Sequence, residues 1–336
     1  MYESFYEFDA KPFQLKPDPS FYYGSKGHKR AMAYLDYGLS QGEGFIVLTG
    51  EVGAGKTTLM RSLFQSLESD KIMAVQIVST HIDSTDILTL VAAAFGLQYA
   101  NASKATLLLD IEKFLRRCDK QGKRVLLVVD EAQNLSPETL EELRMLSNFQ
   151  TDEVPLLQTF LLGQPEFKKT LLSRNMQQLR QRVIATYHLG PLDEQETKAY
   201  IEHRLKTVGW QNNPVIYDDA YHLIYTHTGG IPRKINLLCD RMLMMGCLEE
   251  LHYFDQKAVE VVITDFQQEF DAHQIMADDL AKLPEIGLDM ENQSKMDLGK
   301  IESRLLRMEK SVLFVLDLLK QNLSFGNVKN DTNKRL

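Results

Sequence analysis

The sequence predicts an α/β protein: a parallel sheet covered by helices, then a smaller helical block, then an isolated amphipathic helix. Three observations carry this. Short, almost wholly apolar runs recur in the first half: "FIVL" at Phe45–Leu48, "VLLVV" at Val125–Val129 and "FLL" at Phe160–Leu162. Strands without polar alternation are the ones buried on both faces of a sheet. Segments with three- and four-residue apolar spacing separate these runs, which is the strand–helix alternation of a parallel sheet. After Asp193 the strand signal fades and only helical spacing continues.

The elements follow in order. The Pro- and aromatic-rich "KPFQLKPDPSFYYGS" reads as part of an irregular lead-in from Met1 to about Ser25. A helix over "KGHKRAMAYLDYGLSQG" puts Ala31, Tyr34, Leu35 and Leu39 on one face. "FIVLTG" is a buried strand, and the helix after it carries Leu59, Leu63 and Leu67. "MAVQIVS" (Met73–Ser79) is a second strand, followed by helices over "STDILTLVAAAFGL" and "KATLLLDIEKFLRRC". "RVLLVVDEAQ" is a third strand ending in acids. Ser136 then offers an N-cap with Pro137 at the first helical position. "LQTFLLGQ" is a fourth strand, "PEFKKTLLS" and "QQLRQRV" are short helices, and "ATYHLGPL" is a fifth strand. "EQETKAYIEHRLKTVG", "DDAYHLIYTHTGG" and "IPRKINLLCDRMLMMG" form the helical block.

The expected organisation is a lead-in and sheet domain over 1–192, a helical lid over 193–268 and a polar linker over 269–295. An amphipathic helix over 296–323 and a disordered tail over 324–336 complete it. In that helix Leu298, Ile301, Leu305, Met308, Val312, Val315 and Leu319 follow an a/d heptad pattern. Coiled-coil pairing or a partner helix fits this spacing. One amphipathic helix docked on the body is the simpler alternative.

Composition narrows the class. The 336 residues carry 44% hydrophobic and 25% charged residues, as in ordinary globular chains with room for about two domains. A net charge of −8 argues against nucleic acid as the main partner, because duplex binding relies on Lys and Arg neutralising phosphates. Cys118, Cys239 and Cys247 stand far apart and form no CxxC pair, so buried reduced thiols are expected. The N-terminus has early acids and no apolar signal region. No run approaches the ~20 apolar residues of a membrane span. The expected location is cytoplasmic, with recruitment to the inner membrane through partners.

The chemistry lies at strand ends. Gly50, Glu51, Val52, Gly53, Ala54, Gly55, Lys56, Thr57 and Thr58 contain G-x-x-x-x-G-K-[ST] between a buried strand and an amphipathic helix. Glycines let backbone N–H groups wrap phosphates at a positive helix end. Lys56 would reach the β/γ-phosphates of ATP, and the Thr57 hydroxyl would meet Mg²⁺. Asp130 would hold Mg²⁺ through water, and Glu131 would act as general base on the attacking water. The adjacent Glu, with no NKxD-like guanine motif, favours ATP hydrolysis over a small GTPase. Gln164 ends the next strand, where a polar residue can touch the γ-phosphate or serve simply as a turn residue. Arg180 and Arg182 in "LRQR" are candidate arginine fingers toward a neighbouring subunit. Arg233 in "GGIPRKIN" could reach the γ-phosphate from the lid. Each is also readable as an ordinary surface charge.

In order, "GEVGAGKT", "LLVVDEAQ", "LLGQPEF", "LRQR" and "GGIPRKIN" resemble an AAA+ ATPase of the P-loop NTPase class. The lead-in through "TGEVGAGKTTL", with "DEAQNLSPETLEELRMLSNF", resembles the ExeA/GspA group. Within it the chain is most like the shorter ATPases of exosortase (XrtA)/PEP-CTERM exopolysaccharide systems. The resemblance spans about Met1 to Phe266. It implies Walker A ligands at Lys56 and Thr57, and Walker B residues at Asp130 and Glu131. It also implies sensor 1 at Gln164, the finger at Arg182 before Arg180, and sensor 2 at Arg233. It further implies a nucleotide-dependent homo-oligomer, with a ring expected, and protein partners in an envelope polysaccharide or secretion system. The secretion-type members continue into a transmembrane helix and a peptidoglycan-binding domain, where this sequence shows a heptad helix. The expected function is ATP hydrolysis that drives or gates assembly of an envelope export system. The alternatives are a DNA-associated ATPase regulator of the transposition type and a non-hydrolysing nucleotide-dependent scaffold.

Overall fold

The computed structural model describes residues 1–78, 84–151, 154–266 and 268. The linker, heptad helix and tail read from the sequence lie outside them. The strands are β1 (Phe45–Gly50), β2 (Ile72–Val78), β3 (Arg124–Asp130), β4 (Leu157–Gly163) and β5 (Val183–Leu189). They form one sheet in the order β2-β3-β4-β1-β5, with every neighbouring pair parallel.

Alternation along the strands explains why their apolar runs are unbroken. Phe45, Val47, Leu127 and Val129 point into one core, whereas Ile46, Leu48, Leu126 and Val128 point into the other. Both sets are buried, so the middles of β1 and β3 are wholly apolar, and the buried polar residues of the central strands are confined to Thr49 of β1, Asp130 of β3 and Gln158 and Thr159 of β4. The edge strands β2 and β5 are only half-buried, and their sequences are correspondingly mixed.

The helices are α1 (Tyr2–Phe5), α2 (Lys26–Gln41), α3 (Lys56–Ser66), α4 (Ser84–Ala94), α5 (Lys104–Lys120) and α6 (Pro137–Leu146). They continue with α7 (Pro165–Leu172), α8 (Gln177–Arg180), α9 (Glu194–Thr207), α10 (Asp218–Thr228) and α11 (Pro232–Leu248). Helices α2 and α3 supply Ala31, Leu35, Leu59 and Leu63 to one face of the sheet. Helices α4, α5 and α6 supply Val91, Ile111 and Leu143 to the other. Their starts are set by side chains that satisfy orphan N–H groups. Ser25 caps α2, Ser103 caps α5, and Ser136 caps α6 with Pro137 inside the first turn. Asp193 and Glu196 form a reciprocal capping box at the start of α9.

The helical block packs α9, α10 and α11 around its own core. Two short strands not read from the sequence, β6 (Val215–Ile216) and β7 (Tyr253–Phe254), pair in parallel at its rim. The lead-in was grouped with the sheet by chain order, yet Tyr2, Tyr6, Phe8, Phe13 and Phe21 bury in this helical core. The Tyr6 hydroxyl donates to the Leu251 carbonyl at 2.9 Å, and the Tyr2 hydroxyl donates to Asp240. Burying an aromatic side chain such as Phe13 contributes roughly 1.5–3 kcal/mol.

Strand order positions the site. Because β4 lies between β3 and β1, the carboxyl ends of the three central strands stand side by side. Thr49 pairs with Gly163, so Gln164 leaves the sheet beside the loop that follows β1. This is the crevice in which open parallel sheets hold ligands.

Candidate nucleotide site

The loop after β1 turns sharply into α3. Gly53 has φ 84° and Gly55 has φ 97°, the left-handed region that disfavours side chains. Contacts also exclude a side chain. A Cβ on Gly53 would lie 2.3 Å from Arg233 Cβ, and one on Gly55 would lie 2.8 Å from His28 Nε2. Gly55, Lys56, Thr57 and Thr58 at the α3 N-terminus line a cavity. Lys56 is 7% exposed, and its Nζ donates to the carbonyls of Gly50 at 2.6 Å and Glu51 at 3.1 Å. Burial lowers the Lys56 pKa, while Glu131 and Asp130 pull it back up.

The Thr57 hydroxyl donates to Asp130 Oδ2 at 3.1 Å across the gap between loop and β3. Gln76 Nε2 on β2 donates to the same oxygen at 3.2 Å, and the Glu131 N–H donates to Oδ1 at 2.9 Å. Burial pushes the Asp130 carboxyl above its ordinary value, against the pull of the Glu131 N–H and the Thr57 hydroxyl. A buried carboxylate beside a threonine hydroxyl is suited to a small hard cation that keeps several waters. Protonation would cancel that affinity. Affinity for Mg²⁺–ATP is therefore expected to fall, with decreasing pH, at a pH above the usual aspartate range. Titration calorimetry from pH 8 downward reads this directly. A fall that begins only in the usual aspartate range excludes a raised Asp130 as the titrating ligand.

Glu131 has φ 55° and ψ 40°, a left-handed conformation that costs a non-glycine residue about 1–2 kcal/mol. Strain of this kind concentrates at functional sites. Its carboxylate Oε2 accepts from Gln133 Nε2 at 2.6 Å and from Gln164 Nε2 at 3.3 Å. Gln164 thus reaches the acid that the sequence pairs it with. Arg233 starts α11, and its N–H donates to the Gly53 carbonyl at 3.2 Å, so the lid touches the loop directly.

A cavity of about 300 Å³ opens between the loop, the lid and the lead-in. Lys56, Thr57 and Glu131 line it from the sheet side, and Arg204, Arg233 and Asn236 from the lid. Gln14 to Asp18 with Tyr22 and Tyr23 form the third wall. Two arginines fix that wall. Arg204 donates to the carbonyls of Pro12 and Gln14, and Arg61 of α3 donates to that of Pro17.

Arg180 and Arg182 do not line this cavity. Arg180 donates to the carbonyls of Leu171 and Ser173, each at 3.0 Å, and Arg182 to Ser147 Oγ at 2.7 Å and to Asn148. Sequence reasoning missed Gln76, Gln133, His28 and the lead-in wall. The buried His28 accepts at Nδ1 or donates from it to Ser25 Oγ, at 2.8 Å, and bonds to the Ala54 backbone. Burial holds its imidazole below the ordinary value. The Gln in "DEAQ" was the one local signal among these.

The family model described as "AAA domain" matches residues 39–171. General secretion pathway protein A of Aeromonas hydrophila is 42% identical over 253 residues, which are 75% of this chain and 46% of that protein. The chain therefore spans about half the length of that relative. An uncharacterised HTH-type transcriptional regulator of Methanocaldococcus jannaschii is 24% identical over 155 residues, covering 45% of this chain and 37% of that protein. The Aeropyrum pernix ORC2 protein superposes with a TM-score of 0.58 at 17% identity, covering 76% of this chain and 71% of that one. That likeness shows the fold. Over residues 39–171 the chain thus matches the AAA domain family, and over 75% of its length it is similar to an ExeA/GspA-type protein, with the P-loop NTPase sheet its strand order displays.

Proposed function

We propose that the protein hydrolyses ATP in the cavity between sheet, lid and lead-in, and that hydrolysis drives or gates assembly of an envelope export system. One observation carries the enzymatic part. The Thr57–Asp130 hydrogen bond, the buried Lys56 and the strained Glu131 meet at one wall of one cavity. The residues fit Mg²⁺–ATP. The loop and the α3 N-terminus suit the phosphates, Lys56 their charge, and Thr57 with Asp130 the cation. Mg²⁺, when bound, neutralises charge that develops on the phosphate oxygens. Glu131 takes a proton from the attacking water, and Gln164 orients that acid from β4. Arg233 carries the lid onto the phosphates.

The export reading rests on the likeness to a protein named for general secretion. Its exopolysaccharide/PEP-CTERM form rests on the motif resemblance alone. Among the described residues no helix is long and apolar enough to cross a membrane, so engagement of the envelope is assigned to protein partners. The chain acts as a nucleotide-dependent homo-oligomer, in which Arg182, or else Arg180, faces a neighbour's γ-phosphate.

Phosphate release from ATP by the full chain tests the enzymatic part. Turnover should need Mg²⁺ and vanish with EDTA. Turnover that persists in EDTA would contradict the site. In the assembled oligomer, Arg182→Ala is expected to lower kcat by about 10³-fold, as for other arginine fingers. A wild-type rate with Arg182→Ala beside a dead Arg180→Ala would move the finger to Arg180.

A further inference from the structure

Gln133 has no role in the reading above, yet both ends of its side chain are engaged at the tip of the site. It sits in the short turn Ala132–Asn134 that follows Glu131. Its Oε1 accepts the Gln164 N–H at 3.0 Å, where β4 ends and α7 begins. Its Nε2 donates to Glu131 Oε2 at 2.6 Å. The amide can face only one way. Reversed, its oxygen would meet a carboxylate and its NH₂ would meet an N–H, leaving both pairs repulsive. The backbone at the end of β4 therefore dictates that a donor faces Glu131. Sequence spacing alone does not show this, because β4 is separated from β3 by α6 in the chain and adjacent to it only in the sheet.

Two consequences follow for the acid. The donors from Gln133 and Gln164 both meet Oε2, which leaves Oε1 without a donor among the described residues. Oε1 is thus the oxygen suited to receive a proton. The left-handed backbone at Glu131 gives the side chain an unusual direction. Of the two amide contacts that hold this carboxylate, the shorter is the one to Gln133.

We infer that Gln133 is a positioning residue for hydrolysis: its amide ties the Glu131 carboxylate to the end of β4 and presents Oε1 to the attacking water. This rests on the reading of Glu131 as the general base. It also makes the end of β4 a point at which displacement of Gln164 moves the acid twice. One path is the direct Gln164 side-chain contact, and the other runs from the Gln164 N–H through Gln133.

A nearly isosteric substitution separates positioning from packing. Gln133→Glu keeps the size and the acceptor for the Gln164 N–H, and replaces the donor by a charge that repels Glu131. At pH 8 it is expected to lower kcat of the full chain by about tenfold or more, with the ATP dissociation constant within about twofold of wild type. Gln133→Ala should fall by a similar factor with the same unchanged affinity. Wild-type kcat in Gln133→Glu would overturn the inference, since an acceptor would then suffice. So would a loss of affinity in step with kcat, which would make Gln133 a structural brace. Glu131→Gln is measured beside them. If it hydrolyses ATP at the wild-type rate, the base assignment itself has failed. If it is inactive while Gln133→Glu is normal, only the role of Gln133 has failed.

Discussion

Lys56→Ala is expected to abolish measurable ATP binding, with a loss of affinity of about 100-fold or more. Lys56 is buried, and its ammonium donates to the consecutive carbonyls of Gly50 and Glu51, where β1 runs into the loop. Alanine removes two things at once. It deletes the only cation placed among the loop residues that line the cavity. It also leaves two carbonyls of the phosphate loop without the donor that orders them. A charged hydrogen bond contributes about 1.5–3 kcal/mol, so the loss of the one or two bonds that the ammonium would make to the phosphates gives a change of this size. Fluorescent-nucleotide titration, with a melting curve to confirm folding, reads the effect. A folded Lys56→Ala protein that binds ATP within threefold of wild type would show that the phosphates lie elsewhere.

Glu131→Gln should separate binding from turnover. The substitution keeps the volume, and an amide oxygen can still accept from Gln133 and Gln164. It removes basicity and little else. General acid–base catalysis contributes about 10²–10⁴-fold, so single-turnover hydrolysis should slow by that factor while ATP affinity changes by about twofold at most. The trapped ATP state should also favour the assembled oligomer, visible as a larger mass in light scattering. Unimpaired hydrolysis would remove Glu131 as the base. The same result would leave the Thr57–Asp130 pair intact as a cation site, because that pair depends on the Glu131 backbone and not on its carboxylate.

The loop and the acids were legible because each is a local pattern with a local cause. Glycines at positive φ, a lysine at the first helical position and acids at a strand end all lie within one turn of an apolar run. The five strands were legible for the same reason, since the buried centre leaves Thr49 as the one polar residue in β1 and Arg124 as the one in β3 before its terminal Asp130. What sequence spacing missed depends on which strands become neighbours. Gln76 reaches Asp130 because β2 pairs with β3, and Gln133 reaches Gln164 because β4 inserts between β3 and β1. Both pairings join strands consecutive in the chain, yet the parallel register that brings these side chains together cannot be read from spacing. The lead-in was opaque for a further reason. Its aromatic residues lack helical or strand period, so nothing in the lead-in points to the core that buries them. Arg180 and Arg182 were proposed as fingers, and within one chain they hold carbonyls, a hydroxyl and an amide of their own subunit.

The packing of the lead-in against the lid also has a meaning in time. Tyr2 meets Asp240, a partner 238 positions further along the chain. At a synthesis rate of about 5–20 residues per second, the lead-in emerges roughly 10–50 seconds before its partner exists. The sheet domain has every strand it needs well before that. Until α11 is made, the core that buries Tyr2, Tyr6, Phe8 and Phe13 is incomplete, and they stay open to chaperones or to neighbouring nascent chains. The nucleotide cavity is closed by the same segment, so the site can be completed only when the last helix of the lid arrives.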